Sequence, residues 1–224
     1  MSTCIILNTN AGSLDDPDAL KEKIRGADLG EFTLHCPESG EEAIKVATEA
    51  IKGGCTRIII AGGDGSLNDM VQVVFQSGRD VELGLIPLGT GNDFARTMEI
   101  PEEVEDAIAI LEAGHSKAID LIQISAGDEH HYAVNVSGGG FTGAVDEALS
   151  DGAKARLGVL AYAKAVVESL PNLEAHCATI TIDGGDPLDL DLWNVFVCNG
   201  RFVGGGTLIS PEALPDDGLL DVVL

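Results

Sequence analysis

The fold is decided by the stretch Arg57-Ile58-Ile59-Ile60-Ala61-Gly62-Gly63-Asp64-Gly65-Ser66-Leu67-Asn68. The apolar run Ile58 to Ala61 is too short for a helix and predicts a buried strand. A glycine loop follows it, and a helix with an apolar stripe is expected to begin at Ser66. A strand, a glycine loop and a helix in this order offer unpaired backbone N–H groups to an anion. The stretch therefore predicts a phosphate site, in preference to an ordinary Gly- and Asp-rich turn.

Asp64 is the unexpected member of this loop, because a carboxylate repels a phosphate. Its presence makes sense if a divalent cation or a lysine mediates the contact. It also makes sense if Asp64 accepts a proton from a substrate hydroxyl.

Strands and helices alternate through the first half of the chain, which is typical of a parallel sheet covered by helices. A capping box at Ser39 and Glu42 opens one helix, and Pro101 is expected in the first turn of another over Glu102–Ala113. The loops 8–12, 62–66 and 88–93 each follow a predicted strand. Ligands bind at the carboxyl ends of such strands, so the three loops should lie at one edge of the sheet.

The pattern changes near Ser116, where short strands replace the alternation. The predicted strands are Ala118–Ser125, Tyr132–Val136, Ala178–Ile182, Leu192–Cys198 and Leu219–Leu224, and the predicted helices are Ala144–Leu149 and Leu157–Leu170. We therefore expect a three-layer α/β domain with a parallel sheet over residues 1–117. A β-rich, sandwich-like domain should follow over residues 118–224.

Charge narrows the classes of partner. The chain has 224 residues with 37 acidic and 13 basic side chains, which gives a formal charge of −24. Such a charge argues against nucleic-acid binding and against broad adhesion to an anionic membrane. Whether the acidity serves solubility or reflects a saline environment is left open by the sequence.

The cysteines and the N-terminus indicate a cytoplasmic protein. The five cysteines are widely spaced and lack a Cys-x-x-Cys pair, so we interpret all of them as reduced core residues. The N-terminus has no signal-peptide pattern, and no apolar run is long enough for a membrane span.

Two glycine loops and the β-rich second half together resemble the diacylglycerol kinase catalytic family, which includes bacterial lipid kinases and sphingosine kinases. The more specific loop is Pro87-Leu88-Gly89-Thr90-Gly91-Asn92-Asp93-Phe94-Ala95-Arg96. The other matching segments are Gly62 to Asp69, Ile119-Asp120-Leu121, Leu157-Gly158 with Tyr162, Asn199-Gly200 with Gly204-Gly205-Gly206, and Asp217 to Asp221. They follow the family's order over essentially the whole chain.

This resemblance implies an ATP-dependent kinase that phosphorylates a lipid hydroxyl with Mg²⁺. By position, the nucleotide contacts would be Asn8, Gly62, Gly63, Gly65, Ser66, Gly89, Thr90, Gly91 and Asn92. Asp64, Asp93 and Asp120 would hold the catalytic Mg²⁺ through waters. The resemblance further implies Lys154 near the phosphate and lipid, and a structural cation at Asp217 with the carbonyls of Leu214 and Leu219. The implied partners are a lipid, a membrane touched transiently, and a second copy in a homodimer.

The chain departs from the family pattern at several positions. Thr9 replaces a proline, Ser66 a threonine and Asp69 a glutamate. The family continues beyond Leu224 with a segment that carries the presumed general base, so we expect a chain incomplete at its C-terminus with weak or no activity alone. Asp64 is then the fallback candidate for the base.

Several alternatives stay open. Asp93 could be only a helix N-cap, and Asp120 a residue of a strand-end turn. Lys154 could be a solvated helix charge. The triplets Gly138–Gly140 and Gly204–Gly206 could be bulges or points of close approach to a ligand. The alternative functions are an NAD kinase-like small-molecule kinase and a nucleotide- or lipid-binding protein without turnover.

Overall fold

A four-stranded parallel sheet forms the centre of the first half in the computed structural model, which describes residues 2–140 and 175–224. Its strands are β1 (Thr3–Leu7), β2 (Phe32–His35), β3 (Arg57–Gly62) and β4 (Glu82–Pro87), in the order β2-β1-β3-β4. All neighbouring pairs are parallel, as the alternating sequence pattern predicts. The most buried strands, β1 and β3, lie side by side in the middle.

Helices cover both faces of this sheet. They are α1 (Pro17–Gly26), α2 (Gly40–Lys52), α3 (Asp64–Ser77), α4 (Asp93–Thr97) and α5 (Val104–Ala113). Alternate residues of β3 point to opposite faces, which divides the core into two clusters. Ile58 and Ile60 pack with α2 and α3, whereas Ile59 packs with α1 and α5. The predicted three-layer α/β arrangement is therefore confirmed.

Local sequence signals set most helix ends. The capping box of α2 forms, since the Glu42 N–H donates to Ser39 Oγ. The Glu42 carboxylate completes it by accepting the Glu38 N–H, one residue before the cap.

The predicted starts of two helices are wrong. Helix α3 begins at Asp64 instead of Ser66, because an acidic residue suits the positive end of a helix. Helix α5 begins at Val104, so Pro101 precedes it.

The second half is built from antiparallel strands, which confirms the β-rich prediction. Strands β5 (Ile122–Ala126) and β6 (Glu129–Ala133) form a hairpin, and so do β8 (His176–Ile180) and β9 (Leu188–Leu192). A three-stranded sheet has the order β13-β10-β7, from β7 (Val136–Gly140), β10 (Asn194–Cys198) and β13 (Asp221–Val223). Strands β11 (Phe202–Val203) and β12 (Thr207–Leu208) form a short pair.

Some sequence expectations for this half need correction. The strand expected from Ala118 starts at Ile122, because the Asp120 N–H donates to the Pro215 carbonyl and not to a neighbouring strand. Gly138–Gly140 lie inside β7, where a Cβ on Gly140 would be 2.6 Å from the Trp193 oxygen. The helices expected at Ala144–Leu149 and Leu157–Leu170 fall outside the described residues. The boundary between residues 117 and 118 stays a prediction.

The cysteines are all free thiols, as expected. Cys4, Cys55 and Cys198 are buried, and burial raises the pKa of both Cys4 and Cys198 to about 11. Cys36 and Cys177 are exposed, so the prediction that every cysteine is a core residue is wrong for these two. Among the described residues, no helix combines the length and the apolar character needed to cross a membrane.

The core of the parallel sheet should dominate stability. Ile59 is 0% exposed, whereas Ile110 on α5 is 44% exposed. We expect Ile59→Ala to lower the free energy of unfolding by about 2–5 kcal/mol, since it leaves a cavity. The matched surface variant Ile110→Ala should change it by about 0.5 kcal/mol or less. Urea unfolding followed by circular dichroism measures both values, and equal losses would contradict this placement of the core.

Candidate functional site

The three polar and glycine-rich loops meet at the carboxyl edge of the parallel sheet. The Asn8 side-chain amide donates to Ser66 Oγ over 3.1 Å, which joins the loop after β1 to the start of α3. The Leu88 N–H donates to the Gly62 carbonyl at 2.9 Å, and the Ser13 N–H donates to the Leu88 carbonyl at 3.1 Å. The structure thus brings together the loops that the sequence predicted to share one edge.

The two glycine loops touch backbone to backbone. A Cβ added at Gly63 would lie 2.9 Å from Gly89 Cα, and one added at Gly89 would lie 2.6 Å from Gly63 Cα. Only glycine at both positions permits this approach. The side chain of Asn92 locks the second loop, because it accepts from the Gly89 N–H and donates to the Gly89 carbonyl, both at 2.8 Å. The loops 62–66 and 88–93 therefore form one continuous surface, called the glycine floor below, and its contact with a nucleotide stays a prediction.

Asp64 holds the start of α4. Its two carboxylate oxygens accept the backbone N–H groups of Asp93 and Phe94, each at 3.1 Å. Asn92 is the N-cap of α4 and Asp93 its first residue, so the alternative that Asp93 serves as the N-cap is wrong. The carboxylate of the first residue of α3 thus supplies the cap of α4 from outside that helix.

Asp93 reaches across to the second half of the chain. Its carboxylate is buried, with the residue 7% exposed, and accepts the N–H groups of Gly205 at 2.9 Å and Gly206 at 2.7 Å. Gly204, Gly205 and Gly206 have φ values of 64°, 85° and 106°, which favour glycine. The triplet thus approaches the Asp93 carboxylate closely, and its approach to a ligand stays a prediction.

Arg96 lies beside this contact. Its guanidinium donates to the Gly91 carbonyl and to the Glu102 carboxylate, and one of its nitrogens is 3.8 Å from Asp93 Oδ1. The arginine thereby ties the second glycine loop to the buried carboxylate and partly balances its charge.

Asp120 makes its contacts elsewhere. Its side chain accepts the Gly218 N–H at 2.7 Å, and its carbonyl accepts from the buried Asn199 amide. Asp120 therefore lies beside the turn that carries the predicted cation residues Leu214, Asp217 and Leu219. Within that turn, the Asp217 carboxylate accepts the Leu219 N–H at 2.9 Å. Lys154 lies outside the described residues.

The described residues do not show several acidic side chains arranged to ligate a metal directly. In residues 2–140 and 175–224, no group of three or more His, Cys, Asp or Glu side chains is placed to hold an ion. Asp64 and Asp93 do share one neighbourhood, because a Cβ on Gly91 would lie 3.1 Å from an Asp64 oxygen and 3.6 Å from an Asp93 oxygen. The water-mediated site of Asp64, Asp93 and Asp120 stays a prediction.

Sequence reasoning missed a cavity next to the glycine floor. It has a volume of about 260 Å³ and lies between the start of α2 and one face of α3. Asn8 and Ser66 line it on the loop side, and Asp69, Ser39 and Gly40 line it further in. Loss of hydration raises the pKa of the Asp69 carboxyl. The helical spacing of Ser66 and Asp69 was a usable signal, but a cavity is formed by distant elements that spacing does not reveal.

The structural role of Asn199 is another feature that the sequence does not indicate. It is 1% exposed, and its side-chain amide donates to the carbonyls of Asp120 and Val134. It therefore holds β10 to the segments on either side of the first hairpin.

Comparison with known proteins identifies the family. A model described as "Diacylglycerol kinase catalytic domain" matches residues 2–124, and one described as "YegS C-terminal NAD kinase beta sandwich-like domain" matches residues 135–224. The chain therefore belongs to the diacylglycerol kinase catalytic domain family. The resemblance read from the two glycine loops is confirmed, and with it a kinase assignment at the level of the family.

Individual relatives agree with this assignment. A protein of Pectobacterium atrosepticum named "Probable lipid kinase YegS-like" is 33% identical over 98% of this chain and 73% of its own length. A protein of the same name from Xanthomonas campestris pv. campestris is 36% identical over 98% of this chain and 72% of its own length. The chain thus spans a little under three quarters of these relatives.

Solved structures share the fold. A crystal structure from Bacillus anthracis str. Sterne aligns with a TM-score of 0.78 and 25% identity over 99% of this chain and 72% of its own. A diacylglycerol kinase structure from the same organism aligns with a TM-score of 0.74 over 99% of this chain and 74% of its own, and at 23% identity it shows the fold alone.

The contact between the glycine loops can be tested with two neighbouring glycines. Gly63→Ala should destabilise the protein by about 1–3 kcal/mol, because its methyl group meets the backbone of Gly89. Gly65→Ala should leave stability unchanged or raise it by up to about 1 kcal/mol, since nothing lies within 4 Å and alanine favours the helix. Thermal unfolding of the two variants distinguishes them. Equal melting temperatures would show that the loops do not touch.

Proposed function

We propose that this protein is an ATP-dependent kinase that transfers a phosphoryl group to the hydroxyl of a lipid. The observation that carries the proposal is the backbone contact of Gly63 with Gly89 beside the 260 Å³ cavity. Family membership supports the same reaction class. The names of the relatives supply the lipid as the acceptor.

The ATP phosphates fit the floor formed by the two glycine loops. The start of α3 offers unpaired N–H groups there. Glycine at positions 62, 63 and 89 lets this floor close up, because a Cβ at any of them would collide with Ser66 or with the facing loop. Asn8, fixed by its hydrogen bond to Ser66, would steer the nucleotide from the loop into the cavity. Phosphoryl transfer depends on such positioning more than on covalent chemistry.

Asp64 and Asp93 fit a role beside Mg²⁺. Carboxylate oxygens are hard ligands, and both side chains stand by Gly91 at the mouth of the floor. Each of their oxygens already accepts a backbone N–H, so the remaining lone pairs favour contact through water. The ion, when bound, would neutralise charge on the phosphate oxygens. Asp120 would complete the set from its place beside Gly218.

The lipid hydroxyl that receives the phosphoryl group needs a base and a positively charged partner nearby. Asp64 is the candidate base for the lipid hydroxyl, and Lys154 is the candidate partner of the phosphate. A structural cation at Leu214, Asp217 and Leu219 would fix the turn next to Asp120. The formal charge of −24 favours brief contact of a cytoplasmic protein with a membrane over lasting adhesion. A homodimer is also part of this proposal.

A binding protein without turnover is the second candidate. Both Asp64 oxygens are engaged by N–H groups, which makes this carboxylate well suited to shape a site and less free to accept a proton.

The reaction is tested with ATP labelled in its γ-phosphate, together with Mg²⁺ and detergent-dispersed diacylglycerol, sphingosine or phosphatidylglycerol, with NAD as a further arm. We expect label at a low level in one lipid and none in NAD. Asp64→Asn should reduce labelling by about a hundredfold or more, the size of a general-base contribution. Asp80→Asn, at an exposed position, should label like the parent protein.

The other outcomes separate the alternatives. Label in NAD alone would establish the small-molecule kinase instead. Saturable ATP binding with no label in any acceptor would favour the binding protein. Unchanged labelling by Asp64→Asn, with an unchanged melting temperature, would remove Asp64 from the mechanism.

A further inference from the structure

Gln72 on α3 holds the main chain of Tyr132 in β6. Its side-chain amide donates to the Tyr132 carbonyl, and its side-chain oxygen accepts the Tyr132 N–H at 3.1 Å. Of the strands that the structure describes, only β5 pairs with β6, so this one side chain takes the place of a further strand at the outer edge of the hairpin. Phe75, one turn later on the same face of α3, packs its ring against that of Tyr132, with the centroids 3.9 Å apart.

Strand β6 leads directly to the segment that carries the glycine triplet of the second half. Three residues after Tyr132, the Asn135 carbonyl accepts the N–H groups of Asn199 and Gly200, each at 2.8 Å. The Asn135 side-chain amide donates to the Phe202 carbonyl at 2.9 Å. Phe202 begins β11, and the triplet follows that strand. The position of Tyr132 is therefore passed on to the triplet through a few hydrogen bonds.

The triplet forms a wall of the glycine floor. A Cβ on Gly91 would lie 3.6 Å from Gly205 Cα, so the second half stands against the loop that is expected to hold phosphates. Asp93 accepts the Gly205 N–H, and the Thr97 hydroxyl accepts the Arg201 N–H. Both contacts belong to α4, a helix of five residues. Attachments so close together restrain the tilt of the second half only weakly.

Gln72 supplies an attachment on a different helix. It lies eight residues after Asp64 on α3, which is about 12 Å along the helix axis. We infer that Gln72 is a positioning residue: by holding β6, it fixes the tilt of the second half and with it the place of Gly205 at the glycine floor. The consequence for phosphoryl transfer rests on the proposed function, because transfer depends on how the groups around the phosphates are placed.

Two variants separate the hydrogen bonds of Gln72 from the bulk of its side chain. Gln72→Ala removes both bonds and, since alanine favours a helix, leaves α3 intact. In Gln72→Glu the neutral carboxylic acid has an O–H donor and an acceptor, whereas the ionised form only accepts and repels the Tyr132 carbonyl. The bond to that carbonyl favours the neutral form and raises the pKa of the introduced carboxyl above its ordinary value of about 4.3. Gln72→Glu should therefore match the parent protein at about pH 5 and Gln72→Ala at about pH 8.

The test is amide hydrogen exchange at Tyr132, Gly205 and Gly206, with each variant compared with the parent protein at the same pH. Gln72→Ala should speed the exchange of all three amides about tenfold, the worth of one or two hydrogen bonds. In the γ-phosphate labelling assay it should lower the rate at saturating ATP about tenfold and change the half-saturating ATP concentration about twofold or less. Gln76→Ala and Gln76→Glu, at an exposed position on the same helix, should behave as the parent protein.

Other titratable groups near Gln72 do not disturb the comparison of the two pH values. Asp69 lies one turn earlier on α3, and His130, His131 and Tyr132 belong to β6. All four are present in every protein tested, so their effects cancel when a variant and the parent protein are measured at one pH.

The contradicting results are distinct from one another. Faster exchange at Tyr132 alone, with Gly205 and Gly206 unchanged, would overturn the inference, since Gln72 would then act only locally. So would equal behaviour of Gln72→Glu at the two pH values, which would assign the side chain to packing. Unchanged labelling by Gln72→Ala would remove its part in the reaction while the proposed function stood. Absence of label in the parent protein, together with the expected exchange, would count against the proposed function and leave the positioning intact. Melting temperatures verify that each variant is folded.

Discussion

The arrangement of the two halves depends on two carboxylates, the buried Asp93 and the half-buried Asp64, which accept backbone N–H groups. Asp64 accepts from the first two residues of α4, and Asp93 on α4 accepts from Gly205 and Gly206. A buried carboxylate is costly without donors, so each of these contacts is strongly favoured once the halves meet. The result is a continuous chain of hydrogen bonds from β3 through α4 to the second half.

This chain of contacts lies directly beside the glycine floor. Gly91 stands against both Asp64 and Asp93, and Arg96 holds the Gly91 carbonyl. A shift of the second half would therefore move the loop that meets Gly63. The same residues that are expected to serve the phosphates also align the two halves, which gives the acidic groups beside the proposed phosphate site a structural role. A cavity of about 260 Å³ adjoins the floor through Asn8 and Ser66.

The sequence predicted the features that depend on near neighbours. The period of the apolar residues indicated the parallel sheet, and the glycine loops indicated its functional edge. It did not predict the hydrogen bonds from the Gly205 and Gly206 N–H groups to Asp93, because no local pattern encodes a pairing over 112 and 113 residues. The resemblance groups Asp120 with Asp64 and Asp93, and this set stays a prediction; the sequence does not indicate that the Asp120 carboxylate accepts the Gly218 N–H. The sequence shows Asp69 only as a replacement in the family pattern, because the cavity that it lines is formed by several distant elements.

Amide hydrogen exchange at Gly205 and Gly206 tests most directly whether the Asp93 carboxylate joins the halves. In the parent protein both amides should be protected, and in Asp93→Ala their exchange should be at least tenfold faster, because each lost acceptor costs about 1–3 kcal/mol. Amides of β3 should keep their protection in both proteins. Rapid exchange of Gly205 and Gly206 in the parent protein, or equal protection in the variant, would contradict the account.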